Sequence, residues 1–284
     1  MKIAVLGPAG TFCDKACSDY ITTDYDGNDQ LKPVYYQTID EVFENVCQGE
    51  MCDLGIVPIE NTLDGYVQRT LDLLLEKDVT IIDENLIPVG FSLITNVNDI
   101  NDLERLFVQF KANGQCRKFI NSLDKVNIVS TESNMESYYK VSDLPNSGAI
   151  VPCHVVADYK GGVTIENVTD SPNNHTRFVV FKKNNKKVLE MEFPKKNNSV
   201  RIPAYIMPST DRPGILFEIL ECFYKKSINL LSIMSRPTKQ VMGTYNFYVE
   251  IEAEDERKLE AIKQAIDYIK LNNEVKVLGA FSKI

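Results

Sequence analysis

Met1-Lys2-Ile3-Ala4-Val5-Leu6-Gly7-Pro8-Ala9-Gly10-Thr11-Phe12 opens with an apolar run of strand length, breaks at Gly7-Pro8 and resumes as a helical pattern from about Thr11 to Tyr20. Strand, Gly/Pro turn and helix in that order begin an α/β unit. The apolar run is too short for a signal-peptide core, so it reads as a first β-strand. Moving outward, a second apolar run covers 34–36, and Ile39, Val42, Phe43 and Val46 follow at helical spacing. Leu54 to Val57 is again strand-like, and Val67, Leu71 and Leu74 mark a helix. Apolar segments at 79–82, 89–94, 106–110, 126–129 and 149–151 continue the alternation to about Lys183, which predicts two open-sheet α/β lobes.

The character changes near residue 195. A Lys- and Asn-rich stretch with Pro194 reads as a solvated linker over 184–197. Beyond it come a strand (200–207), a helix (214–224), strands (228–235 and 244–251), a helix (255–270) and a strand (275–281). That order is βαββαβ, ferredoxin-like. Leu259, Ile262, Ile266 and Ile269 supply the second helix with its core face. The expected division is therefore 1–183, a linker, and 198–284.

A chain of 284 residues with 44% hydrophobic and 25% charged residues has the composition of a globular protein of two or three units. Its formal charge is −9, and no basic stripe follows a phosphate backbone, so nucleic acid is not an expected partner. No segment approaches the roughly 20 apolar residues of a membrane span. Seven cysteines, irregularly placed, and two histidines offer no zinc-like spacing, so reduced thiols, a cytoplasmic location and no metal are expected. The sequons at Asn167 and Asn174 are then accidental.

Ala9, Gly10 and Thr11 lie where a strand feeds a helix, and free N–H groups there either hold an anion or only make a turn. Glu60, Asn61 and Thr62 end the third strand, where open α/β sheets place ligands, although Thr62 can equally be a helix cap. Asn174-His175-Thr176-Arg177-Phe178 likewise puts polar groups before an apolar run. His154 beside Cys153, and Cys13 four residues before Cys17, are read as structural pairs.

Together, Gly7-Pro8-Ala9-Gly10-Thr11-Phe12, Val57-Pro58-Ile59-Glu60-Asn61 and Asn174-His175-Thr176-Arg177-Phe178 resemble the prephenate dehydratase family. Arg212-Pro213-Gly214-Ile215-Leu216, Ile228-Asn229-Leu230 and Ser235-Arg236-Pro237 resemble the ACT domain that follows the catalytic region there. The resemblance implies a two-lobed, periplasmic-binding-protein-like catalytic region followed by an α+β ferredoxin-like ACT domain. It implies a lyase of phenylalanine biosynthesis that takes prephenate to phenylpyruvate with no cofactor and is controlled by an amino-acid effector, phenylalanine. A homodimer or homotetramer is expected by the same resemblance.

By that carry-over Thr176, Asn61 and Gln115 are catalytic, with Thr176 at the leaving hydroxyl. Ala9, Gly10, Thr11, Glu60, Thr62, Arg177 and Phe178 bind substrate; Arg177 either holds a carboxylate or pairs structurally. Pro213, Gly214, Ile215, Leu216, Asn229, Leu230, Met234 and Ser235 bind the effector. The chain departs from the family pattern where Val108-Gln109-Phe110-Lys111 replaces Ser-His-Pro-Gln, which removes a hydroxyl expected near the substrate. Met234 replaces a glutamate, Ile215 an alanine, and Cys13 a serine. Arogenate as substrate, a non-catalytic amino-acid sensor and a solute-binding protein are the alternative readings.

Overall fold

The computed structural model describes residues 1–25, 30–49, 51–184 and 199–283, so all of the expected linker except Asn184 lies outside the described residues. In the first lobe, β1 (Lys2–Leu6) runs parallel to β2 (Lys32–Tyr36) on one side and to β3 (Leu54–Asn61) on the other. The chain returns to this lobe late: β11 (His175–Lys183) inserts antiparallel between β3 and β5 (Val79–Pro88). The hairpin strand β4 (Gly65–Tyr66) folds back on β3.

Local chemistry sets the helices. Thr38 and Glu41 form a reciprocal capping box at the start of α2 (Ile39–Gln48), and Gly49 ends it in the left-handed conformation. Its buried face is Val42, Phe43 and Val46, and Phe43 stacks on Phe181 at 4.3 Å. That ring lies so close to β3 that a Cβ on Gly55 would sit 2.5 Å from it. The other helices here are α1 (Phe12–Asp19) and α3 (Gln68–Glu76).

The second lobe holds β6 (Phe91–Thr95), β7 (Arg105–Gln109), β8 (Asn127–Thr131), β9 (Ser147–Pro152) and β10 (Thr164–Ile165), in the order β10-β6-β9-β7-β8. Its helices are α4 (Phe110–Gln115), α5 (Arg117–Asn121) and α6 (Asn134–Asp143). The strand expected to reach Phe110 stops at Gln109, because the Gln109 side chain accepts from the N–H groups of Lys111 and Ala112 and starts α4. Where the chain crosses between lobes, the Val89 N–H donates to the Asn174 carbonyl at 2.8 Å, tying the two crossing segments together.

The third unit contains β12 (Val200–Pro208), α7 (Ile215–Lys225), β13 (Leu230–Pro237), β14 (Tyr245–Ala253), α8 (Glu256–Ile269) and β15 (Asn273–Val277), with sheet order β13-β14-β12-β15. The single strand expected over 275–281 is split, and β16 (Phe281–Ser282) pairs with β12. The break has a cause in the first lobe: the Ile81 N–H donates to the Leu278 carbonyl at 2.7 Å. A Cβ on Gly279 would lie 2.2 Å from the Ile81 carbonyl oxygen, so only glycine permits this approach.

Strand alternation gives this sheet two apolar faces. Ile202, Ile206, Val249 and Ile251 pack with Ile219, Phe223, Ile262 and Ile266 of α7 and α8. Tyr205 and Tyr248 instead enter one core with Leu71, Leu74, Val79 and Ile81 of the first lobe. The Tyr205 hydroxyl donates to the Leu71 carbonyl at 2.8 Å, and Lys276 Nζ donates to the carbonyls of Leu74, Leu75 and Lys77 at the end of α3. A shared core with capped helix carbonyls couples the units more tightly than a hinged domain contact would.

Candidate active site

The site begins where β3 ends and β11 begins. Thr176 pairs with Asn61 and Arg177 with Glu60 across the ladder. Because side chains alternate along a strand, Thr176 and Asn61 share one face and Arg177 and Glu60 the other.

On the first face the Asn61 carboxamide is oriented from behind, its Oδ1 accepting from the Leu63 and Asp64 N–H groups at 3.0 Å each. Its Nδ2 is thereby turned to donate to Asn174 Oδ1 at 2.8 Å, the His175 carbonyl at 3.1 Å and Thr176 Oγ1 at 2.9 Å. A hydroxyl that accepts from an amide keeps its own hydrogen for another acceptor. Asn174, fully buried, passes the same polarity onward, since its Nδ2 donates to Gln115 Oε1 at 2.9 Å. Gln115 sits on α4 in the second lobe, and its Nε2 hydrogens have no acceptor among the described residues. The chain Asn61, Thr176, Asn174, Gln115 therefore joins both lobes through oriented donors.

Beside it lies a cavity of about 650 Å3, lined among others by Leu63, Asp64, Lys111, Gln115 and Asp170. Lys111 Nζ reaches Asp64 across the lobes at 3.5 Å. Asn174 was not among the expected site residues, although it opens the motif that contributed Thr176.

Several expected contacts fall elsewhere. The Gly10 N–H already donates to Asp14 Oδ2 at 2.7 Å, so the chain's own carboxylate occupies that donor. Thr11 caps α1, accepting from the Asp14 N–H at 3.3 Å and donating to the Pro8 carbonyl at 3.0 Å. The first-turn N–H groups of Phe12 and Cys13 have no partner among the described residues. Ala9 is exposed. The Thr62 hydroxyl is clipped to the His175 backbone, donating to its carbonyl at 3.1 Å and accepting from its N–H at 3.2 Å. Phe178, 1% exposed, belongs to the core with Ile3, Ile56 and Ile87 and does not line the cleft.

Arg177 makes structural pairs, one of the two roles expected for it. Its guanidinium donates to Glu60 Oε2 at 2.9 Å, Glu84 Oε2 at 3.1 Å and Glu250 Oε1 at 2.7 Å. It faces the third unit, where three carboxylates meet it, and Glu60 is one of them. Burial disfavours the Arg177 cation, but Glu250 first, with Glu84, outweighs it and holds the group above its ordinary value. Burial raises and Arg177 and Arg201 lower the Glu250 carboxyl, with a net shift below its usual range.

Val108 is fully buried among Leu93, Leu106, Ala112 and Ile150. A hydroxyl there would enter an apolar core, so the loss of a donor at this position does not empty the cleft. At the opposite end, the loop before α1 touches the second lobe: His154 Nε2 donates to the Gly10 carbonyl at 3.0 Å, and Phe12 packs edge-on against Phe91 and His154. The carbonyl can only accept, which fixes the proton on Nε2. Burial lowers the His154 pKa despite that bond.

The expected effector residues occupy one edge of the third unit. Gly214 starts α7 with a φ of 89°, Pro213, Asn229 and Ser235 are exposed, and Ile215, Leu216 and Leu230 pack partly on the module core. Met234 differs, packing on the core shared with the first lobe. A cavity of about 870 Å3 between α7 and α8 includes only Ile215 of the set, so one chain does not gather these residues around a single hollow. Among the described residues no three His, Cys, Asp or Glu side chains form a set able to hold a metal ion.

Residues 3–186 match the family model for prephenate dehydratase and residues 209–267 that for the ACT domain. A prephenate dehydratase of Methanocaldococcus jannaschii is 34% identical over 266 residues, covering 92% of this chain and 91% of that one. Among solved structures, prephenate dehydratase from Arthrobacter aurescens in complex with L-Phe superposes with a TM-score of 0.80 at 26% identity, covering 100% of this chain and 90% of that one. The enzyme from Staphylococcus aureus gives 0.75 at 27% identity, with 99% and 100% covered.

Proposed function

The chain belongs to the prephenate dehydratase family and carries a C-terminal ACT domain, and from that premise we propose that it converts prephenate to phenylpyruvate in the biosynthesis of phenylalanine, under control by phenylalanine. The observation that carries the reading is the donor chain through Asn61, Thr176, Asn174 and Gln115.

In this reaction the bond from the ring to its carboxylate breaks and releases carbon dioxide. The electron pair enters the ring, the opposite C–O bond breaks, and the departing hydroxide takes up one proton to leave as water. Aromatisation supplies the driving force, and oxidation states balance without an external oxidant or reductant. The enzyme is then a carbon–oxygen lyase. Its residues must donate hydrogen bonds to oxygens that gain charge and keep the ring in place. The Thr176 hydroxyl, held through its lone pair by Asn61, donates to the leaving oxygen. Gln115 Nε2, with Lys111 at the cavity wall, meets a carboxylate. A threonine hydroxyl is too weakly acidic to act as a free acid, so its contribution is a preoriented donor or relay.

The catalytic unit is taken as 1–183 and the regulatory unit as 198–284. Phenylalanine would bind at the β13 edge, around Pro213–Leu216, Asn229, Leu230 and Ser235. An edge strand carries unpaired backbone groups, and exposed Ile233 and Tyr245 lie close to it, which supports pairing with a second copy in a cytoplasmic homodimer or homotetramer.

The test is an ultraviolet assay of purified protein with prephenate and, in parallel, arogenate, without added metal or nucleotide. Phenylpyruvate formation from prephenate is expected. Turnover of arogenate alone would change the substrate, and no turnover of either would leave only a sensor.

A further inference from the structure

The Arg177 cluster ties the catalytic strand to the regulatory sheet. Glu250, on β14, is 1% exposed and projects from the open face of that sheet into the first lobe. Its Oε1 accepts from Arg177 at 2.7 Å and from the Tyr248 hydroxyl at 2.6 Å, and its Oε2 accepts from Arg201 at 2.5 Å. Arg177 is the peptide neighbour of Thr176, and another of its three carboxylate partners, Glu60, is the neighbour of Asn61. The two residues that shape the donor chain thus have their backbones pinned from the far face by one guanidinium. On the regulatory side, β13 carries Leu230 and Ser235 and pairs with β14, with Ser232 opposite Glu250. The ladder shifts register between Leu230 and Ser232, next to that pair, and β11 shifts between Arg177 and Phe178. Both irregularities lie beside the ion cluster.

We propose that Glu250 of the ACT domain is a positioning residue for the dehydratase reaction: it holds Arg177 and thereby the backbone that aims Thr176 and Asn61. This rests on the reading of Thr176 as the donor to the leaving hydroxyl. Glu60 and Glu84 hold the cation in the first lobe, while only the regulatory unit supplies the third carboxylate. A change of β13 on binding an effector reaches β14 at Glu250, and from there one ion pair separates it from the residue next to Thr176. Positioning of this kind acts on the transition state more than on ground-state binding, so it moves kcat rather than KM.

The experiment compares the unmodified full chain with Glu250→Gln and Arg201→Gln, measuring kcat, KM, thermal unfolding and inhibition by L-phenylalanine. Arg201 shares Glu250 and Glu84 but is not paired with Arg177, so it reports what loss of the interdomain pair to Glu84 does while the bond from Glu250 to Arg177 stays in place. Glu250→Gln is expected to lower kcat about tenfold or more, to leave KM within about threefold, and to blunt inhibition while L-phenylalanine still binds by calorimetry. Arg201→Gln is expected to keep kcat within about threefold of the unmodified chain and to remain inhibited. Equal losses in the two variants, or a folded Glu250→Gln with unchanged kcat and inhibition, overturn the proposal. Should Glu250→Gln not fold, Glu250→Asp, which keeps the charge but draws the carboxylate back from Arg177, must lower kcat with KM little changed, and an unchanged kcat overturns the proposal too. Lack of turnover by the unmodified chain would instead sink the functional reading on which this rests.

Discussion

Replacing Thr176 by valine keeps the branched shape and removes one oxygen. In the resting protein that oxygen accepts from Asn61 Nδ2 at 2.9 Å, but the same amide also donates to Asn174 Oδ1 and to the His175 carbonyl. Asn61 therefore keeps partners, and the variant loses one ordinary hydrogen bond, about 0.5–1.5 kcal/mol of stability. The kinetic loss is expected to be larger. A donor aimed at developing charge in a dry site is worth a factor of about 100–1,000 in kcat, or about 2.7–4 kcal/mol. Stopped or continuous ultraviolet assays of Thr176→Val should give that fall in kcat with KM little changed, and Thr176→Ser should recover most of it. A folded Thr176→Val within about threefold of the unmodified kcat would remove the hydroxyl from the chemistry. A loss confined to KM would assign it to binding instead.

Val108→Ser is expected to cost about 1–3 kcal/mol in chemical denaturation, because it buries a hydroxyl in an apolar core, while kcat stays within about threefold; a gain in kcat would mean that the position reaches the substrate. Gly55→Ala forces a methyl against the Phe181 ring at 2.5 Å, so a loss of about 1–3 kcal/mol is expected, and an unchanged denaturation midpoint would refute that packing. The folded-state pKa of His154 is held below its unfolded value, so the unfolded chain takes up the proton first. Its contribution to stability is present above the unfolded pKa, about 6.5, and is lost as pH falls toward the folded pKa. Unfolding temperatures between about pH 7.5 and 5.5 should drop more steeply for the unmodified chain than for His154→Gln, and parallel curves would remove His154 as the source.

Much of the architecture was legible because it rests on periodicity. The period-two and period-3.6 runs separated two α/β lobes from a βαββαβ unit, and the capping box at Thr38 and Glu41 is readable as residues. What escaped were effects of one unit on another. The split between β15 and β16 depends on the Ile81 carbonyl, which no local pattern announces. The start of α4 at Phe110 depends on a glutamine side chain folding onto its own backbone, against an apolar run that read as strand.

The active-site motifs were legible as residues but not as directions. Thr176-Arg177 and Glu60-Asn61 are adjacent pairs in sequence, and adjacency invites the assignment of both members to one cleft. Strand alternation forbids it, since neighbours on β3 and β11 point to opposite faces. One member of each pair, Asn61 and Thr176, belongs to the donor chain, and the other belongs to the ion cluster, in which Arg177 reaches Glu250 of the regulatory sheet. Period two was available in the sequence and would have separated them; what it could not supply was the identity of Glu250, 73 residues beyond Arg177, as the group waiting on the far side. The motif therefore carries two sets of contacts in consecutive residues, the donor chain on one face and attachment to the ACT domain on the other. A substitution at Arg177 or Glu60 should accordingly disturb turnover through the geometry of the donor chain.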